Sequence, residues 1–116
     1  MVSVAPIEVS IETFHSLVIE RSHKQLVILD ISANWCSPCK ILEPILTAVT
    51  AEYNNGEFAL TKLEAEDENM KIAGQFSVRG FPTVIAFIRG EEVGRFHSAQ
   101  THDFVRNFID QNLENF

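Results

Sequence analysis

Basic residues are scarce in this chain: Lys and Arg number 9 against 16 Asp and Glu, for a net charge of −7. A surface with that balance offers no cationic footprint, which excludes nucleic acid and anionic membrane as expected partners. Long apolar runs are missing too. The longest, Leu26–Leu29 and Val84–Ile88, fall far short of the roughly 20 residues that cross a bilayer. The start Met1-Val-Ser-Val-Ala-Pro has neither the basic end nor the apolar stretch of a secretory signal, so the expected compartment is the cytoplasm. Cysteine is equally sparse, with two in 116 residues. In a compartment that keeps thiols reduced, two cysteines do not form a structural framework; catalysis or metal binding is the expectation. No internal repeat is visible, and the only biased stretch is Glu64-Ala-Glu-Asp-Glu68.

What is present suits one compact domain spanning 1–116. Hydrophobic residues make up 46% and charged residues 22%, which argues against disorder. A domain of this length hides roughly 60–70% of its unfolded surface, enough to fold without staples.

The pattern along the chain alternates. Ile7-Glu-Val9 reads as a short strand, and Ser10 as the cap of a helix carrying Phe14, Leu17 and Val18 on one face. Leu26–Ile31, apolar except for Asp30, reads as a strand buried on both faces, which belongs in a parallel sheet. Cys36–Glu52 returns to helical period, with Ile41, Leu42, Ile45, Leu46 and Val49 as its stripe and Pro44 inside it. A strand follows around Phe58–Leu63, then a short helix over 67–76 with Met70, Ile72, Ala73 and Phe76 inward. Pro82–Ile88 and Glu92–His97 read as a hairpin turned at Arg89-Gly90. Thr101–Leu113 closes the chain as a helix with Phe104, Val105, Phe108 and Ile109 inward. The expected fold class is α/β: a mixed sheet of about five strands flanked by about four helices.

The informative stretch is Asp30-Ile-Ser-Ala-Asn-Trp-Cys-Ser-Pro-Cys-Lys40. Two cysteines separated by two residues at a strand-to-helix junction can close a disulfide within one helical turn. Cys36 at the helix start receives unpaired backbone N–H groups and the positive end of the dipole. That setting favours its thiolate by about 0.3–1 kcal/mol, up to ~2 where partly buried. Cys36 is therefore the expected exposed nucleophile, and Cys39, one turn in, the resolving thiol. Pro38 fits the first turn, where its missing N–H costs nothing.

The chain resembles the thioredoxin family on these residues. The Trp-Cys-x-Pro-Cys-Lys signature stands here as Trp35-Cys36-Ser37-Pro38-Cys39-Lys40, with an acid at Asp30, a lysine at Lys62 and the segment Arg79-Gly-Phe-Pro-Thr83. The resemblance runs from about Ile7 to Leu113. It implies the thioredoxin fold, protein-disulfide reductase activity without a bound cofactor, and a cis peptide bond before Pro82. It implies protein disulfides as substrates, a thioredoxin-reductase-type flavoprotein as electron donor, and a monomer. Residue by residue, it implies Asp30 as proton acceptor for Cys39, with Lys62 holding that acid's charge in check. Trp35, Ser37, Pro38, Phe81, Pro82 and Thr83 become the expected substrate surface, with Phe81's backbone pairing an extended substrate segment. A carboxyl buried in an apolar strand has a raised pKa, which suits the acceptor role.

Three departures stand out against the family pattern: Ser37 and Ser98 where glycine is usual, and Ser32 where tryptophan is usual. The acidic cluster and Lys71–Thr83 also resemble thioredoxin domains fused to tetratricopeptide repeats in bacterial chaperone-redox proteins. Three other readings compete. Cys36 and Cys39 with His97 and His102 would make a zinc half-site completed at long range; a binding module or holdase would use the apolar groove around Trp35, Phe81 and Pro82; an oxidant or isomerase would run the same cysteines in reverse. His15, His23, His97 and His102 carry no other partner pattern and, like the acids of 64–68, read as solvated. The nine phenylalanines read as packing.

Overall fold

The computed structural model describes residues 5–116; the reading of Met1 through residue 4 as lacking a signal lies outside them. Five strands form one mixed sheet: β1 (Ile7–Val9), β2 (Leu26–Ser32), β3 (Phe58–Glu64), β4 (Thr83–Ile88) and β5 (Glu91–His97), in the order β1-β3-β2-β4-β5. β1, β3 and β2 run parallel, and β4 pairs antiparallel with both β2 and β5. β2 is buried along its whole length, as a nearly unbroken apolar run at the centre of a two-sided sheet must be. Three α-helices, α1 (Ser37–Thr50), α2 (Met70–Gln75) and α3 (His102–Asn115), join an irregular first helical segment to make four.

Strand alternation sorts the core into two layers. Val27, Leu29 and Ile31 face Phe14, Val18, Ile72 and Ala73 on one side. Leu26 and Ile28 face Leu42, Leu46, Val105 and Ile109 of α1 and α3 on the other. On the first side the rings of Phe14 and Phe76 both meet Phe87 edge to face and are tilted against each other, with centroids 5.4–6.1 Å apart.

Several local expectations shift. The helix expected from Ser10 begins instead with turns, and His15–Glu20 winds as a π-helix before a 3-10 turn at Arg21–His23. Ser10 opens this region through its own N–H, which donates to Thr13 Oγ1 at 2.9 Å. The expected 67–76 helix splits into a 3-10 turn, Asp67–Asn69, and α2, leaving Met70 exposed. Ile41 and Phe104, expected inward, are 59% and 42% exposed. The buried stripe of α1 is Cys39, Leu42, Leu46 and Val49, and Ile41 sits one helical step off it. Phe104 instead lays its ring against Phe96, centroids 5.2 Å apart, at the rim of the α3 contact.

The hairpin turns where expected. Arg89 and Gly90 both take positive φ, 51° and 83°, the demand of a tight two-residue turn. A side chain at Gly90 would also meet His23 Nε2 at 3.2 Å. Buried Ser22 ties the turn down: its carbonyl accepts from Arg89 N–H at 2.8 Å and its Oγ from Gly90 N–H at 2.7 Å. Further along β5, Ala86 pairs Gly94 but Phe87 pairs Glu92, so Val93 forms a bulge in the edge strand.

Candidate active site

β2 ends at Ser32 and α1 begins at Ser37, so the short link 33–36 delivers Cys36 to the helix start. Cys36 is the N-cap of α1, with extended backbone angles (φ −93°, ψ 111°), and the Cys39 N–H donates to its Sγ at 3.2 Å. The sulfur thus occupies the place a capping oxygen normally takes. Pro38 lies in the first turn, where no N–H is needed. Cys36 and Cys39 are joined as a disulfide, with Cα atoms 5.3 Å apart. In this oxidised form Cys36 is only 4% exposed, contrary to the open position expected of it, because Ala33, Cys39 and Phe81 pack around it. Ser37 is exposed, and the donor at Cys36 Sγ is the Cys39 amide, not the serine hydroxyl.

Trp35 stands 72% exposed beside the pair, its ring edge-to-face with Phe81 at 5.8 Å. The Phe81–Pro82 peptide is cis. Thr83 Oγ donates to the Gly80 carbonyl at 2.8 Å and takes a bond from His97 Nδ1 at 3.1 Å. His97 therefore braces the cis-proline loop through Nδ1. Among the described residues no three His, Cys, Asp or Glu side chains gather as a metal site. Ser98 takes φ 70° and donates its N–H to the Pro82 carbonyl at 3.1 Å. An open groove of about 420 Å³, lined by Arg79, Phe81, Pro82, His97 and Ser98 among others, runs along this loop.

Beneath α1 lies a second layer of polar groups. Asp30 shares the face of β2 that carries Leu26 and Ile28, and both of those pack on α1. It is 3% exposed and its Oδ1 has no hydrogen-bond partner among the described residues. Burial pushes its carboxyl from an ordinary 3.8 up to about 7, against the pull of Lys62, while Glu43, Glu64 and Glu8 push it the same way as burial. Lys62 is the register partner of Asp30 across β2 and β3. Its ammonium, however, is hydrogen-bonded elsewhere: to Glu43 Oε1 of α1 at 3.1 Å and Glu64 Oε1 at 3.2 Å. Burial works against the Lys62 charge, but those two bonds outweigh it and raise the pKa.

Two acids in this layer are absent from the expected site. Glu43 is detectable from period alone, since it stands four residues after Cys39 and so shares its face. Glu64, expected in a solvated cluster, is the half-buried last residue of β3, opposite Ser32. Ser32 Oγ and Glu64 Oε2 are also buried without a hydrogen-bond partner among the described residues.

The family model described as Thioredoxin matches residues 5–111. The chain belongs to the thioredoxin family. It is 35% identical over 108 residues to "Thioredoxin" of Buchnera aphidicola subsp. Schizaphis graminum (strain Sg), covering 93% of this chain and 96% of that one. A "Thioredoxin" of Chlamydia pneumoniae is 34% identical over 103 residues, covering 89% and 94%. In fold, the crystal structure of Chlamydomonas reinhardtii thioredoxin f2 superposes with a TM-score of 0.82 at 22% identity, covering 93% and 96%. With thioredoxins as relatives and Cys36 bonded to Cys39, the chain is a protein-disulfide oxidoreductase that works by dithiol–disulfide exchange. The binding-module reading is not favoured. No helix among the described residues is long and apolar enough to cross a membrane.

Proposed function

We propose that the whole chain, 1–116, acts as a single-domain, monomeric cytoplasmic reductase of protein disulfides in electron transfer from a thioredoxin-reductase-type flavoprotein. The observation that carries the assignment of roles is the capping geometry: Cys36 Sγ sits at the start of α1 under the Cys39 N–H. A negative sulfur is favoured there by hydrogen bond and dipole together. The Cys36 thiolate attacks one sulfur of a substrate disulfide, forming a mixed disulfide and expelling the other substrate sulfur as a thiolate. Asp30 accepts the Cys39 proton, and the Cys39 thiolate then attacks Cys36 Sγ. That step closes the Cys36–Cys39 disulfide and expels the second substrate thiolate. Two electrons pass from the cysteine pair to the substrate, whose thiolates take protons from solvent; the flavoprotein returns two electrons.

Trp35, Phe81 and Pro82 form the apolar wall on which an extended substrate segment lies, with Phe81's backbone as the pairing edge. Thr83 fixes the loop, and Ser37 and Pro38 shape the first turn that faces the substrate. Lys62, the register partner of Asp30, moderates that carboxyl's pKa through its charge without a direct ion pair.

Trapping tests the order of attack. With a disulfide-bonded protein such as insulin, Cys39→Ser should accumulate a mixed disulfide through Cys36, and Cys36→Ser should accumulate none. Accumulation through Cys39 instead overturns the assignment. Brief alkylation of the reduced protein should label Cys36 first.

A further inference from the structure

Lys62 faces Asp30 across the sheet register, yet both hydrogen bonds of its ammonium go to carboxylates outside that pair. Glu64 lies two residues along the same strand. Glu43 comes from α1, the helix that carries both cysteines. The charged groups that act on Asp30 are therefore one cation and several anions: Lys62 and Glu64 from β3, Glu43 from α1 and Glu8 from β1. β4 contributes the uncharged Val84 opposite Asp30. A cation shared by two glutamates is poorly placed to neutralise a third carboxylate, because a lysine ammonium has a fixed charge to distribute.

We propose that Glu43 is a positioning residue of the exchange reaction: by holding the Lys62 ammonium at α1, it keeps the cation from pairing with Asp30 and so keeps Asp30 able to take up the Cys39 proton. The inference rests on the reading of Asp30 as proton acceptor and adds the group that controls it. The carboxyl's position near 7 agrees with this arrangement. An opposite charge brought within about 4–6 Å of an acid lowers its pKa by roughly 1–3 units. Freeing Lys62 should therefore leave Asp30 ionised at neutral pH and a weaker base toward a thiol.

The Glu43 side chain is 41% exposed, so Glu43→Gln should fold. The test follows the Asp30 carboxyl by carbon NMR in the oxidised protein, a readout independent of turnover. Glu43→Gln should lower the Asp30 midpoint by about one unit or more. Repeated in a Lys62→Met background, the same change should lower it by less than half as much, since the lysine is the intermediary. The pH profile of mixed-disulfide release should move down with the midpoint in the single variant. An unmoved midpoint, or an equal fall in both backgrounds, overturns the proposal. If the midpoint falls while the release profile stays fixed, the acceptor role of Asp30 fails instead, and the proposal fails with it.

Discussion

Replacing Asp30 by Asn removes an acid from a place that solvates charge badly. The carboxyl is 3% exposed, one oxygen has no partner among the described residues, and burial lifts it from 3.8 to about 7. A raised folded-state pKa means that the folded protein holds the proton more tightly than the unfolded chain. Stability is therefore intact below about 3.8 and is lost progressively as pH rises towards 7; above 7 the full penalty stands. Three units at 1.36 kcal/mol each make that penalty about 4 kcal/mol. Asparagine is neutral in both states and escapes it, though its buried amide costs up to about 1–3 kcal/mol if unpaired. The oxidised Asp30→Asn protein should thus be more stable than the parent by about 1–4 kcal/mol at pH 8 and by no more than about 1 at pH 4. Urea titrations of both proteins between these pH values give the difference directly, since unrelated groups cancel. A stability difference that stays flat across the range would refute the reasoning, for it would show that Asp30 does not carry its burial as a charge penalty.

Three further outcomes follow from single contacts. Ser98→Gly should raise the thermal midpoint, with a gain of about 0.5–1 kcal/mol after glycine's extra unfolded freedom is allowed for, because Ser98 holds φ 70°; a lower midpoint would mean the serine side chain is needed. Ser22→Ala should cost about 1–3 kcal/mol in a denaturant titration, since it leaves the Gly90 N–H unpartnered and breaks the 2.6 Å bond to the Ile19 carbonyl. Trp35→Ala should change stability by less than about 0.5 kcal/mol at this exposed position, yet raise the KM for a protein disulfide. Unchanged KM would remove Trp35 from the docking surface.

The sequence was most readable where one physical signal dominates. β2 is a dense apolar run, the hairpin has glycine at a turn that demands positive φ, and α1 and α3 show clear helical stripes, so these elements lie within a few residues of expectation. The region 10–23 was less readable because a π-helix breaks the 3.6 period, and 67–76 because its first turn is acidic 3-10. Ile41 and Phe104 show the limit of reading stripes: an apolar side chain one step off the seam looks like core until the neighbouring helix is placed. At the site, the cysteine motif and the Gly-x-Pro-Thr segment are local and were plain. The destination of the Lys62 ammonium was not, because three acids from three elements compete for it and only the folded geometry ranks them.

The bulge at Val93 has a consequence for how the protein keeps its company. Both borders of the sheet are poor templates for another chain. β1 is three residues long, and β5 carries Glu91, Glu92 and Arg95 around the irregular step. Short, charged and kinked borders resist the indiscriminate strand pairing that leads to aggregates. A catalyst that meets oxidised, partly extended polypeptides as its daily substrate is exposed to that hazard more than most. With its flanks made unattractive, residence on a client would, under the proposed mechanism, be governed by a covalent link at Cys36 that the chain's own second thiol can cut.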